Sequence, residues 1–325
     1  MRISAGLPIG VAALLFESAR ARRDVEARLV ELLEAGGYGE VVLPVLDYAD
    51  PYDAFLTASG KGELYRFVDR GGDLLALRAD FTPMLARLLA PRLASLDLPL
   101  RLFYRGDVVR YQEERAGRLC ELFQVGAELL SKDSAAADRE VLRLFLRLLL
   151  ATGAGPVEVV LGFAGALDLP LLQTAGSGGT ARLAAAVARR ERGVVRQASQ
   201  TLFEVVDHGL PRDPAALGPI AAARLADLLA LQGDLAAEFP AVRLTVDLAE
   251  FAHQALHPEL LEAVGERAYY DGIVFHAHAG PGGLAVGGGG RYDRLFRSLG
   301  AAVPAVGFSL GLDRLLAPGM REAAP

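Results

Sequence analysis

Four consecutive glycines, Gly287–Gly290, run straight into Arg291, Tyr292 and Asp293 in the stretch GGGGRYDRL. Glycine gives up more conformational freedom on folding than any other residue, so a chain keeps such a run where its backbone must approach something closely. The run lacks the Lys-Ser/Thr of a phosphate loop and the spacing of a dinucleotide fingerprint. By itself it reads as a tight turn or as close strand packing. The patterns around it narrow the fold. LRLFYRGDVVRYQ and LCELFQVGAELL read as two strands joined by a polar, arginine-rich loop, and LYRFVD and LLALRAD as a pair across Gly71–Gly72. EVVLPVL, VRLTVDLAEF, AYYDGIVFHAHA, LAVGGGG and AVGFSLGL add further strand patterns. Helical periodicity covers 11–35, with Val25, Leu29, Leu32 and Leu33 on one face and a stop at Gly36–Gly37. It returns in TPMLARLLAPRL, with Thr82 as cap and Pro83 at the first helical position, and from Asp133 to Thr152. Residues 163–240 are rich in Ala, Leu and Arg and read as a helical insertion. Strands and helices mix without a regular βαβ alternation, which predicts an α+β fold with about six mostly antiparallel strands.

Composition limits the function. The chain has 325 residues, is 52% hydrophobic and has a mean hydropathy of +0.28, enough for a substantial core. Its net charge of −6 argues against a dedicated nucleic-acid binder, which carries a basic face. Lys61 and Lys132 are the only lysines, so an anion would meet an arginine fork. The single cysteine, Cys120, excludes an internal disulfide and a Cys-rich metal site, and fits a reducing cytoplasm. The N-terminal MRISAGLPIGVAALLFESARA loosely resembles a secretory signal, but Pro8, Gly10 and the arginines that follow favour an extended leader before a helix. The apolar region from Leu146 to Leu172 is broken by Gly153, Pro156, Glu158 and Asp168, so no membrane span is expected. His276 and His278 share a face if IVFHAHA is a strand, and no carboxylate or cysteine accompanies them locally in the sequence. His253 and His257 are followed at once by Pro258, so no metal site is expected. The runs RARRDVEAR and VARRERG read as solvated helix faces because acidic residues interleave them. Asp80 and Glu128, read alone, cap helices or pair with arginines.

Several motifs in one order carry more. GYGEVVLPVLD, LRADFT, YRGD, FQVGAE, YYDG, GGGGRYD and PAVGFSLGLDR, spread from about Leu7 to Leu316, together resemble the catalytic domain of histidyl-tRNA synthetases, a class II family. The resemblance implies that the first segment forms a dimer, with Asp47 where the family usually has glutamate. It implies phosphate-gripping roles for Arg105 and Arg314. For a histidine pocket it implies Asp80, Thr82, Gln124 and Glu128, walled by Tyr269, Tyr270, Gly288, Gly289, Gly290 and Tyr292.

The departures from the family pattern matter as much. Where synthetases carry a catalytic arginine in an RGLDYY segment, this chain reads GERAYYDG, with Gly265 at that place and Ala268 for the aspartate. Removing a positioned charge from a developing phosphate charge costs several kcal/mol of barrier. FRHE has become YRGD, with the shorter Asp107, and Cys120 stands where another arginine is expected. No anticodon-binding domain is expected after Arg314. The pattern resembles the regulatory subunits of short-form ATP phosphoribosyltransferase. That resemblance implies a short catalytic partner subunit, histidine as feedback effector, a homodimer within a hetero-oligomer, no catalytic residue and no cofactor. Two other readings stay open: a tRNA-independent histidine-activating paralogue, and a synthetase catalytic fragment.

Overall fold

The computed structural model describes residues 6–55, 63–111, 119–166, 180–250, 269–280 and 283–317. The first helix, α1 (Phe16–Ala35), starts five residues later than the periodicity predicts. Ser18 explains the delay: its hydroxyl accepts the Leu15 amide at 3.1 Å and donates to the Leu15 carbonyl at 2.7 Å, which holds Leu15 extended. EVVLPVL is not one strand. It divides into β1 (Gly39–Glu40) and β2 (Leu46–Tyr48), because Pro44 has no N–H to give a ladder. The buried Arg78 guanidinium takes the carbonyls of Leu43 and Pro44 at 2.7 and 3.0 Å, and the chain crosses there from one sheet to another. After α2 (Asp50–Phe55), β3 (Arg66–Val68) and β4 (Leu74–Leu77) form the predicted pair, completing a small sheet in the order β2-β4-β3.

Helix α3 (Thr82–Leu89) corrects one expectation. Thr82 is its first residue and not its cap; Phe81 before it already has helical dihedrals, and the threonine hydroxyl is used elsewhere. Strands β5 (Leu100–Val109) and β6 (Glu121–Leu130) form the long antiparallel hairpin read from the sequence. Helix α4 (Ser134–Ala151) is capped by Asp133, whose carboxylate accepts the Ala136 amide at 3.0 Å. Asp133→Ala is expected to lower stability by about 1 kcal/mol, read as a shifted urea midpoint with an unchanged slope.

Strand β7 (Val157–Phe163) precedes four helices, α5 (Thr180–Ala188), α6 (Arg192–Ala198), α7 (Gln200–His208) and α8 (Pro219–Glu238). They fall within the span read as a helical insertion. Strands β8 (Val242–Val246), β9 (Ile273–Ala279) and β10 (Leu284–Arg291) follow, then α9 (Asp293–Ser298), β11 (Ala305–Gly311) and α10 (Leu312–Leu315).

The main sheet has eight strands in the order β1-β5-β6-β11-β10-β9-β7-β8. Its six inner strands are antiparallel, as predicted, and one parallel strand was not foreseen at each edge. Helix α4 lies under this sheet, with the Phe145 ring 4.9 Å from Phe275 and 5.1 Å from Phe308. Its ladder of Arg139, Arg143 and Arg147 meets Asp234 and Glu238 on α8, which fastens the helical region to the sheet layer. Among the described residues no helix is long and apolar enough to cross a membrane.

The glycine run now has a physical cause. It lies on β10 between β9 and β11, with Gly288 opposite His276 on one side and Ser309 on the other. A Cβ on Gly288 would sit 2.7 Å from the Phe275 carbonyl oxygen, and one on Gly290 2.7 Å from the Tyr270 ring. Side chains there would either break the sheet or fill the cavity above it.

Candidate functional site

The cavity above the glycine strand is built around one carboxylate. Glu128 on β6 is 1% exposed. Its Oε1 accepts the Thr82 hydroxyl at 2.6 Å and the Tyr104 hydroxyl at 3.3 Å, and its Oε2 accepts the Tyr292 hydroxyl. Thr82 comes from the first turn of α3, Tyr104 from β5 and Tyr292 from the turn between β10 and α9. Three separate elements therefore converge on one group. Gly307 on β11 makes the position possible, since a Cβ there would run into the Glu128 carboxylate. Burial pushes the Glu128 carboxyl up to about 7, against the pull of the Thr82 and Tyr292 hydrogen bonds, and nearby Asp80 adds to the rise. Burial also holds the hydroxyls of Tyr104, Tyr269 and Tyr292 well above their ordinary range, so they remain donors.

Asp80 supplies a second carboxylate. Its Oδ1 accepts the Thr82 amide at 3.0 Å, and its Oδ2 meets the Arg110 guanidinium at 3.1 Å. Tyr269 and Tyr270 form the aromatic wall: their rings meet edge to face at 4.9 Å, and Tyr269 stacks on Tyr292 at 5.8 Å. Phe81 and Tyr104 stack at 4.3 Å below the α3 entry. Two carboxylates, three hydroxyls and a flat glycine floor suit a small ligand bearing N–H donors and a positive charge. The cavity is about 50 Å³ in this conformation, room for a few water molecules.

Eight of the residues predicted for this pocket line the cavity: Asp80, Thr82, Glu128, Tyr269, Tyr270, Gly288, Gly289 and Tyr292. Gly290 lies just beneath the Tyr270 ring, and Gln124 sits farther along β6, opposite Gly106 and Gly311. Sequence reading missed Tyr104, Gly307, Phe308 and Ser309, which also line it. Period-two alternation on β5 puts Tyr104 on Glu128's face, a signal masked in the sequence by the motif arginine, Arg105, next to it.

Arg105 is not at the cavity. Its guanidinium is held by Glu26 of α1 and by Glu40 at 2.7 Å. Arg314 donates to the Ala285 carbonyl at 2.9 Å. Arg22 of α1 lies 4.6 Å over the Phe123 ring and 4.0 Å from Asp313, which in turn accepts the Phe123 amide at 2.6 Å. Gly265, Arg267, Ala268, His253 and His257 lie outside the described residues. No group of three or more potential metal ligands occurs among the described residues.

The eight-stranded antiparallel-centred sheet and its Glu128 cavity define a protein of the class II synthetase catalytic fold, and the histidyl-tRNA synthetase family model matches residues 10–315. A structure from Bacillus halodurans, titled an ATP phosphoribosyltransferase regulatory subunit/histidyl-tRNA synthetase, superposes with a TM-score of 0.79 at 23% identity, covering 99% of this chain and 85% of that one. A histidine–tRNA ligase subunit from Alicyclobacillus acidocaldarius superposes with a TM-score of 0.73 at 29% identity, covering 98% of each chain. The ATP phosphoribosyltransferase regulatory subunit of Moorella thermoacetica is 36% identical over 95% of this chain and 81% of its own length. That of Symbiobacterium thermophilum is 36% identical over 98% and 81%. Within the synthetase-like class, the chain belongs to the family of ATP phosphoribosyltransferase regulatory subunits.

Proposed function

We propose that this chain is a non-catalytic, cytoplasmic subunit that assembles with a short catalytic ATP phosphoribosyltransferase and brings histidine control to it. The observation that carries the reading is Glu128, fully buried and ringed by three hydroxyl donors inside a member of this family. The ionised carboxylate accepts an imidazole N–H, Asp80 faces the ammonium group, and the glycine floor lets the ligand lie close. The catalytic subunit is expected to copurify with this chain, to work poorly without it, and to be inhibited by histidine only in the complex. A catalytic subunit that is fully active and histidine-sensitive alone would overturn the reading.

Likeness to a histidine–tRNA ligase subunit keeps a synthetase activity in view. The arginines that would grip ATP argue against it: Arg105 is neutralised by two glutamates, and Arg314 is engaged by a carbonyl. The pure chain is expected to give no histidine-dependent ATP–pyrophosphate exchange. Robust exchange would restore the synthetase reading.

The small sheet supports self-association. Leu46, Tyr48 and Phe67 share its outer face, 48%, 55% and 41% exposed, next to the partly buried Leu75 and Leu77. An apolar face of this kind marks an interaction surface, and Leu46 and Tyr48 place it at the end of the segment that family resemblance assigns to the dimer. Tyr48→Asp is expected to halve the mass of the isolated chain in sedimentation equilibrium while leaving its circular dichroism unchanged.

A further inference from the structure

Four buried side-chain atoms lack a hydrogen-bond partner among the described residues; two, Asp47 Oδ2 and Arg87 Nε, belong to one ion pair, and a third, the Tyr52 hydroxyl, feels the charges of both. Buried polar groups are nearly always paired, so these unpaired atoms call for a physical reason. Arg87 stands on α3 and reaches Asp47 on β2 with Nη2 to Oδ1 at 2.5 Å. The same Oδ1 also accepts the Tyr48 amide at 2.9 Å, while Oδ2 accepts nothing. Arginine and carboxylate normally meet as a two-pronged fork. Here one prong is made and the other is held back. Tyr52, 1% exposed, lies in the field of Asp47, whose charge adds to the burial that raises its hydroxyl.

Helix α3 joins this half-made fork to the cavity. Its first residue, Thr82, donates to Glu128, and Asp80 immediately precedes it. Its other end carries Arg87. A ligand seated in the cavity would bear on α3 at Thr82 and on Asp80 just before it, both of which line the cavity. A displacement of α3 against β2 is what would bring Nε and Oδ2 together and let Tyr52 donate to Oδ2.

We infer that α3 is a lever with two positions: ligand entry at Asp80 and Thr82 drives Arg87 into a full fork on Asp47, latched by Tyr52. Strand β2 passes the change on, since Leu46 and Tyr48, on either side of Asp47, face outward on the small sheet. A ligand shifts an equilibrium only through contacts that differ between the two states. The fork's second bond and the tyrosine bond are such contacts. This inference rests on histidine binding in the Glu128 cavity, as proposed above.

Tyr52→Phe tests it in the full complex of this chain with its catalytic partner. If Tyr52 served structure alone, deleting a buried hydroxyl without a partner would be neutral or stabilising and would leave regulation alone. The lever predicts an unchanged or higher Tm together with a histidine concentration for half-inhibition raised about fivefold or more, the lower range of allosteric coupling. Asp47→Asn is expected to act in the same direction, and Asp47→Glu, which keeps both oxygens, to retain most of the response. A Tyr52→Phe complex inhibited at the wild-type histidine concentration, beside a wild type that does respond, would overturn the lever and leave the cavity assignment standing. A wild-type complex indifferent to histidine, with no binding to the chain, would refute the cavity assignment and the lever with it.

Discussion

Glu128→Ala is expected to weaken the histidine response strongly while leaving assembly with the catalytic subunit intact. The carboxylate is the common acceptor for Thr82, Tyr104 and Tyr292, and among the described residues that line the cavity it is the buried anion that the ligand's ring N–H would meet. A hydrogen bond to a charged group contributes about 1.5–3 kcal/mol, which is roughly a 10- to 150-fold loss of histidine affinity. Removal also leaves three hydroxyls without their acceptor, so Tm should fall as well. Isothermal titration with histidine reads the first effect and copurification the assembly. An inhibition curve that Glu128→Ala leaves unmoved would place the effector elsewhere, with a subunit interface the better site.

The second large effect is on pH. In the folded chain the Glu128 carboxyl is raised to about 7 from an ordinary value of 4.5, chiefly by burial. The folded state therefore holds a proton that the unfolded state has released between those two values. Stability from this group is fully present below pH 4.5 and is lost as pH rises through 7, a change of about 3 kcal/mol. Ligand recognition runs the other way, because the ionised carboxylate is the much stronger acceptor for the ring N–H. Between pH 6 and pH 8 the ionised fraction rises from about one tenth to about nine tenths, and histidine affinity should rise about tenfold with it. Glu128→Gln should flatten the glutamate-linked part of both profiles. Thermal melts and titrations at matched ionic strength across this range measure the two effects. An unchanged binding profile in Glu128→Gln would remove Glu128 as the titrating group.

Local chemistry in the sequence was enough for much of the fold. The two strand-like runs on either side of the Arg-rich loop determined the β5–β6 hairpin, and the helical pattern from Asp133 to Thr152 determined α4. Motif order brought together most of the cavity wall, because Asp80, Glu128, Tyr269 and the glycines carry a signature that does not depend on knowing their neighbours. Other features depend on contacts between residues far apart in the chain. Thr82 looks like a helix cap until Glu128, 46 residues later, takes its hydroxyl. EVVLPVL looks like one strand until Arg78 gathers the carbonyls beside Pro44. Arg105 carries a phosphate motif in the sequence, and only the packed structure brings Glu26 and Glu40 to it. The half-made fork between Arg87 and Asp47 leaves no trace in either segment. Periodicity and capping are read within a few residues, so the chain alone sets them. Where a buried hydroxyl or guanidinium finds its partner is settled only when the strands and helices have packed, and that packing decided the protonation and reach of the site.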